Sequence, residues 1–220
     1  MEGKNIVIEW RYAEGIPESE VAAELVDLKV DLIVTVGSPG TGAAKKATYT
    51  IPIVMAQDPD PVGNGFVASL ARPGGNITGL SSVAPELSGK RLELMKEALP
   101  KLSRVAVFGT STRLGNAQAL KEMDLAAGTF GVRLQYLDVL SSKDIEIAFR
   151  AASKGRAEAA LVFGGPVLNS HRTQIAELAA KNRLPAIYER AEFMDTGGLM
   201  FYGASITAMY RRAAVFVDKI

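Results

Sequence analysis

Ile51–Ser81, IPIVMAQDPDPVGNGFVASLARPGGNITGLS, divides the chain. Ile51 to Ala56 is nearly all apolar and reads as a short buried strand. Gln57 to Pro61 is an acidic, proline-rich turn, after which a short helix is expected. Pro73-Gly74-Gly75 interrupts the chain, and Ile77 to Leu80 reads as a second strand. Strand and helix patterns alternate before this stretch and resume after it. A segment that closes one α/β unit and opens another is where a cleft is expected, because ligands of open parallel sheets bind beyond the carboxyl ends of the strands. Asp58 follows the first of these strands and is therefore expected near the mouth between two lobes.

Upstream, Asn5–Tyr12 (NIVIEWRY) alternates Ile6, Ile8 and Trp10 with Val7, Glu9 and Arg11, the pattern of a half-buried edge strand with Trp10 as packing. Pro17-Glu18 opens a helix that carries Val21, Leu25 and Leu28 on one face. Asp31–Val36 (DLIVTV) reads as a parallel strand covered on both faces. Gly37–Gly42 follows as a turn, and AAKKAT as a helix. Downstream, Glu86–Leu99 is a helix ended by Pro100. Strands are then expected at 104–108, 132–139, 159–163, 185–188 and 198–202. Helices are expected at 115–130, from Ser141 to Lys154 with Asp144 completing a capping box, at 170–182 and at 205–220. This order predicts an α/β protein of two lobes with parallel sheets built from right-handed βαβ units.

The 220 residues suffice for one large or two small α/β domains, and a hydrophobic fraction of 48% with 22% charged residues is that of an ordinary globular protein. A net charge of +1 gives no sign of a nucleic-acid partner. With no Cys there are no disulfides, thiolate metal sites or Cys nucleophiles, and with His171 as the one histidine a His-based triad or metal site is not expected. No catalytic residue, metal or cofactor is expected. No apolar run is long enough for a membrane span, and Met1-Glu2-Gly3-Lys4 has no signal-peptide pattern.

The candidate site residues all follow strands. Gly37-Ser38-Pro39-Gly40-Thr41-Gly42 lacks the Lys-Ser/Thr ending of a phosphate loop and the Rossmann glycine spacing. It is either a structural turn or a ligand contact through its backbone N–H groups, Ser38 and Thr41. In Asp58-Pro59-Asp60-Pro61 the prolines fix the backbone, so Asp58 is favoured as a contact for an ammonium or hydroxyl and Asp60 as a cap. Gly109–Asn116 places Thr110, Ser111 and Thr112 at a helix start, with Arg113 available for a carboxylate; the alternative is a capping turn. Gly164-Gly165 suggests close backbone approach, and Glu189 and Arg190 end the next strand. His171 opens a helix without a metal-ligand partner.

NIVIEWRYAEG, DLIVTVGSPG, the Ile51–Ser81 stretch, SRVAVFGTST and GLMFYG resemble the periplasmic solute-binding components of ABC transporters of the uncharacterised, tryptophan/tyrosine-type group. Asp-Pro-Val-Gly followed by Arg-Pro-Gly-Gly-Asn-Ile-Thr-Gly in the family pattern is the most specific part. The resemblance implies a type I periplasmic-binding fold, with residues 1–82 and 197–220 in the first lobe and 83–196 in the second. It implies an inter-lobe ligand, an amino acid or similar small polar organic, touched by Ser38, Thr41 and Asp58 from one lobe. Thr110, Ser111, Asn116, Gly164, Gly165 and Glu189 belong to the other. It also implies a membrane permease and ATPase as partners and a periplasmic or membrane-anchored location. Against the family pattern the chain is expected to be truncated at both ends. Its first lobe would then lack the strand between Ile6–Tyr12 and Asp31–Val36, leaving the first segment to repack, fray or pair with a second copy in a homodimer. The rival readings are a ligand-sensing domain of the same fold, which has no helix-turn-helix or basic stripe here, and an α/β enzyme using Asp58 and Glu189.

Overall fold

The computed structural model describes residues 3, 5–13, 15–113 and 115–220. Met1, Glu2 and Lys4, on which the signal-peptide reading rests, lie outside the described residues, as do Glu14 and Leu114, the latter in the Gly109–Asn116 stretch. The chain forms two compact units, Met1–Ser81 with Ile206–Ile220, and Ser82–Ser205.

The first unit runs α1 (Glu18–Asp27), β1 (Ile33–Val36), α2 (Gly37–Ala47), β2 (Ile53–Asp58) and β3 (Ile77–Ser81). The second runs α3 (Glu86–Ala98), β4 (Arg104–Gly109), α4 (Asn116–Phe130), β5 (Arg133–Asp138), α5 (Ser142–Lys154), β6 (Ala159–Val162), α6 (Pro166–Ser170), α7 (Arg172–Lys181), β7 (Ala186–Tyr188), a 3-10 helix at Ala191–Thr196 and β8 (Met200–Phe201). The chain then returns to the first unit as α8 (Ile206–Val217).

In the first unit the parallel sheet has the order β1-β2-β3, and every residue of β2 is buried. One face packs Ile33, Ile53, Met55 and Ile77 against Ala44 of α2 and Val67. The other packs Val54 and Ala56 against Ala213 of α8. In the second unit the order is β5-β4-β6-β7-β8, again parallel. Phe108, Phe149, Ile145 and Tyr188 fill one face, and Leu92, Met123, Val107 and Leu161 the other. Because all strands of each sheet run parallel, the loops that follow them gather at one edge of that sheet, beyond the strands' carboxyl ends.

Four expectations are corrected. Asn5–Tyr12 forms no strand ladder. It carries one bridge residue, Ile6, and leaves Trp10 64% exposed and stacked on Tyr12. Alternation selects a strand face, but an extended segment without ladder partners has nothing to hold it in a sheet. Gly37–Gly42 is not a turn but the start of α2. Gly37, at φ +74°, turns the chain out of β1, and Pro39 sits in the first helical turn, where its missing N–H has no intrahelical acceptor. No helix follows Pro61. Asp60 Oδ1 instead accepts from the Gly63 N–H at 2.8 Å, and the Asn64 N–H donates to the Asp60 carbonyl at 2.9 Å, closing a turn. The helix expected at 170–182 is present as α7, and the short α6 precedes it, the two meeting at His171, whose Nδ1 lies 2.9 Å from the Val167 carbonyl. Finally, Met200–Phe201 pairs with β7, so residues 197–205 sit with the second unit rather than the first lobe.

Candidate functional site

At the carboxyl end of β2 the register slips. Met55 stands opposite Gly79 and Asp58 opposite Ser81, so β2 holds one extra residue there, and the pairing with β1 shifts at the same level. Such a bulge re-aims the side chains that follow it. Asp58 is fully buried. Its Oδ1 accepts the Asp60 N–H at 3.0 Å and Asn64 Nδ2 at 3.3 Å, and Asn64 Nδ2 also lies 3.0 Å from Ser38 Oγ. Oδ2 is buried and has no hydrogen-bond partner. Burial pushes the Asp58 carboxyl above the usual carboxylate range, opposed by the Asp60 N–H and by the Ser38 and Asn64 side chains, while the charge of Asp60 adds to the rise.

Ser38 and Asp58 are therefore brought together, and Asn64 is the residue that joins them. Thr41 is not part of this group. It is fully buried, and its hydroxyl is shared between Thr35 Oγ1 at 2.9 Å and the Gly37 carbonyl at 3.0 Å, which stitches α2 to β1. Asn64 carries no sequence signal beyond its two flanking glycines, which mark a turn but not a contact.

In the second unit, the loops after β4, β6 and β7 converge. Glu189 Oε2 accepts the Gly164 N–H at 2.7 Å, and Arg113 Nη1 donates to the Gly164 carbonyl. A Cβ on Gly164 would lie 3.3 Å from both Arg113 Nη1 and Glu189 Oε1, so the glycine is wedged between a guanidinium and a carboxylate. Gly165 adjoins Thr110, whose hydroxyl would be 3.5 Å from an added Cβ. The hydroxyls expected to meet a ligand are largely engaged. Thr110 Oγ1 donates to the Val139 carbonyl at 3.0 Å, and Ser111 Oγ to Asp138 Oδ2 at 2.6 Å. Asn116 Nδ2 donates to the Thr110 carbonyl at 2.9 Å. Arg113, expected as a carboxylate contact, clamps Gly164 instead. Close by in the same sheet, burial and the charge of Asp138 push the Tyr136 phenol upward. Residues that sequence reasoning missed are Asp138, which holds Ser111, and Arg91, buried and bonded to the Tyr202 carbonyl.

A further hollow of about 80 Å³ is lined by Asn169, Arg172, Arg190, Glu192 and Phe193. Among the described residues no cluster of His, Cys, Asp and Glu has a metal-binding arrangement, and no helix is long and apolar enough to cross a membrane.

Comparison with known proteins gives this arrangement its context. The ABC transporter substrate binding protein family matches residues 1–220. A tyrosine-binding protein of Clostridioides difficile is 27% identical over 204 residues, 92% of this chain and 58% of the relative, so the chain spans less than two thirds of that protein's length. The crystal structure of a conserved domain protein from Vibrio cholerae superposes with a TM-score of 0.89 at 26% identity, over 99% of this chain and 73% of the other. An ABC domain from Streptococcus pneumonia in complex with L-Trp superposes with a TM-score of 0.88 at 20% identity, over 99% of this chain and 74% of the other, a likeness of fold. The parallel α/β build is that of type I periplasmic-binding proteins, whose work is to bind a solute rather than to catalyse a reaction. The chain belongs to the ABC transporter substrate-binding protein family.

Proposed function

We propose that this chain is the solute-binding part of an ABC importer and that its ligand is an aromatic amino acid or a similar small polar organic, held in a cleft between the two units. The observation that carries the reading is the family match over the whole chain, joined to polar groups at the carboxyl ends of the strands in both units. The tyrosine-binding relative and the L-Trp complex suggest the ligand class. The ligand's amine lies near Asp58, with Ser38 and Thr41 on the same side. Its carboxylate lies at the Thr110–Asn116 helix start, beside Ser111, Gly164, Gly165 and Glu189. Hinge closure then reports occupancy to a membrane permease and its ATPase, from a periplasmic or membrane-anchored position. Self-association along the open edge of β1 belongs to the same reading.

A thermal-shift screen against the amino acids tests it. L-tryptophan or L-tyrosine is expected to raise Tm in a concentration-dependent way, and aliphatic and acidic amino acids to do so less. No shift with any aromatic amino acid, with saturable binding of an unrelated solute instead, overturns the ligand class.

A further inference from the structure

We propose that Asp58 Oδ2 is the acceptor for a cationic nitrogen of the ligand, and that ligand binding is coupled to loss of the Asp58 carboxyl proton. The inference deepens the proposed function and rests on it.

The two oxygens of this carboxyl group are not equivalent. Oδ1 has two donors, the Asp60 N–H and Asn64 Nδ2, whereas Oδ2 is buried with none. A buried acceptor left without a donor is costly, so the group needs a hydrogen on Oδ2. The neighbouring Ser38 hydroxyl, which accepts from Asn64 Nδ2 and acts on the carboxyl, makes no hydrogen bond to Oδ2. Two sources then remain: the carboxyl's own proton, or a donor brought by the ligand. The position is rigid, because it ends the fully buried β2, follows a bulge and is held by Pro59 and the Asp60 turn.

The surrounding charge decides what kind of donor fits. Asp60, on the same turn, adds negative charge. From α2, Ser38 pairs with Asn64 of the turn after Pro61, and Lys45 is engaged with the Gly65 carbonyl. From β3, Ser81 stands opposite Asp58. From α8, which packs on β2, Arg211 and Arg212 are exposed. Among the described residues no Lys or Arg forms an ion pair with Asp58. A buried carboxylate with a second carboxylate nearby and no cation of its own selects a positively charged donor over a neutral hydroxyl.

The proton balance follows. The ligand nitrogen arrives as an ammonium group and keeps its protons, the Asp58 proton leaves to water, and no bond of the ligand changes. Burial holds the ligand-free carboxyl above its ordinary range, and a docked ammonium lowers it. Affinity is therefore constant above the ligand-free pKa and falls as pH drops through it, approaching about tenfold per pH unit until the bound-state pKa is reached.

Isothermal calorimetry from pH 7.5 down to pH 4.5, in pairs of buffers with different ionisation enthalpies, tests this. The probes are L-tyrosine, L-tryptophan and their deamino analogues 3-(4-hydroxyphenyl)propionate and 3-(indol-3-yl)propionate; the amine of the first two does not titrate in that range. The amino acids are expected to bind at least about tenfold more tightly than the deamino acids at pH 7.5. Their binding is expected to release protons at the acid end. Asp58→Asn is expected to lose both the preference and the pH dependence. Equal affinity for amino and deamino acids, or amino-acid binding without proton release as affinity falls, overturns the inference and leaves the proposed function standing. Failure of all four to bind the wild-type chain at pH 7.5 overturns both. The wild-type titrations decide the matter even if Asp58→Asn does not fold.

Discussion

Arg91 Nε donates at 2.7 Å to the carbonyl of Tyr202, 111 residues further along the chain. Its Nη1 reaches the Ala84 carbonyl at 3.4 Å and Ser88 Oγ at 3.3 Å, and the side chain is almost fully buried. Ala84 and Tyr202 lie just inside the points where the chain enters and leaves the second unit, so one guanidinium ties both ends of that unit together. Burial pulls its pKa down and the charge of Glu189 opposes the fall. Arg91→Met keeps most of the volume but leaves the Tyr202 carbonyl without its donor, and is expected to cost about 2–3 kcal/mol in urea unfolding. Arg91→Lys, which cannot reach both carbonyls, is expected to recover only part of this. A loss under about 0.5 kcal/mol for Arg91→Met, within the range of an ordinary surface change, would show the tie to be dispensable.

Gly79 is the second position where geometry leaves little choice. It lies in β3 at φ +134°, and a Cβ there would sit 2.2 Å from the Met55 carbonyl oxygen of β2. The obstacle is backbone, beside the bulge that orients Asp58, so it cannot swing aside. Gly79→Ala is expected to destabilise the first unit by more than about 3 kcal/mol. Hydrogen exchange should show the loss as reduced protection of the β1, β2 and β3 amides. Gly40→Ala is the control: it lies within α2 with open space around its Cβ and is expected to gain about 0.5–1 kcal/mol. Equal stability of the two variants would refute the clash.

How far the sequence foretells such features depends on how far away the partner lies. Strands β4, β6 and β7 of the second unit are legible because each is a short, largely apolar run bounded by helix signals. The Ser141–Asp144 capping box is legible because its partners are three residues apart. The beginning of α2 is not, because a glycine-rich segment becomes helical there through packing, with Gly42 against the Phe66 ring. Asn5–Tyr12 shows strand alternation but no strand, since alternation carries no information on the neighbour. At the candidate site, residue types at strand ends point to Ser38 and Asp58. That Asn64 links them depends on a turn 26 residues beyond Ser38, and that the Thr41 and Ser111 hydroxyls are engaged by Thr35 and Asp138 depends on side-chain direction.

The capping box at α5 gives a pH signature. Asp144 Oδ2 accepts the Ser141 N–H at 2.8 Å and the Ser141 hydroxyl at 2.9 Å. These bonds hold its carboxyl below the ordinary range, with the Ser141 hydroxyl the larger cause. A depressed folded-state pKa means that the contribution is present above the unfolded-state pKa and is lost as pH falls through the folded-state value. Asp144→Asn is therefore expected to be less stable than the wild type at neutral pH, with the difference shrinking as acid protonates Asp144. Urea midpoints compared at neutral pH and in the acid limb check this, and a pH-independent difference would remove the carboxylate from the account.

The open side of β1 carries the last expectation. In the order β1-β2-β3 this strand pairs, among the described residues, on one side only, with β2. Its burial alternates, leaving Val34 51% and Val36 55% exposed. Val34 stands opposite Val54 and therefore on the same face, yet the cover that α8 gives Val54 does not extend to it. A short strand offering free backbone groups beside exposed valines is a template for another strand, which proteins ordinarily guard with charge or proline. The chain is therefore expected to self-associate as its concentration rises, seen by light scattering after size exclusion. Val34→Lys with Val36→Lys adds two positive charges to that edge and should shift the equilibrium toward monomer by tenfold or more, about 1.4 kcal/mol. Because both positions are already exposed, the substitutions should leave the urea midpoint of the dilute protein nearly unchanged. A wild-type chain that stays monomeric throughout, or a double variant that associates equally, would rule out β1 as the contact.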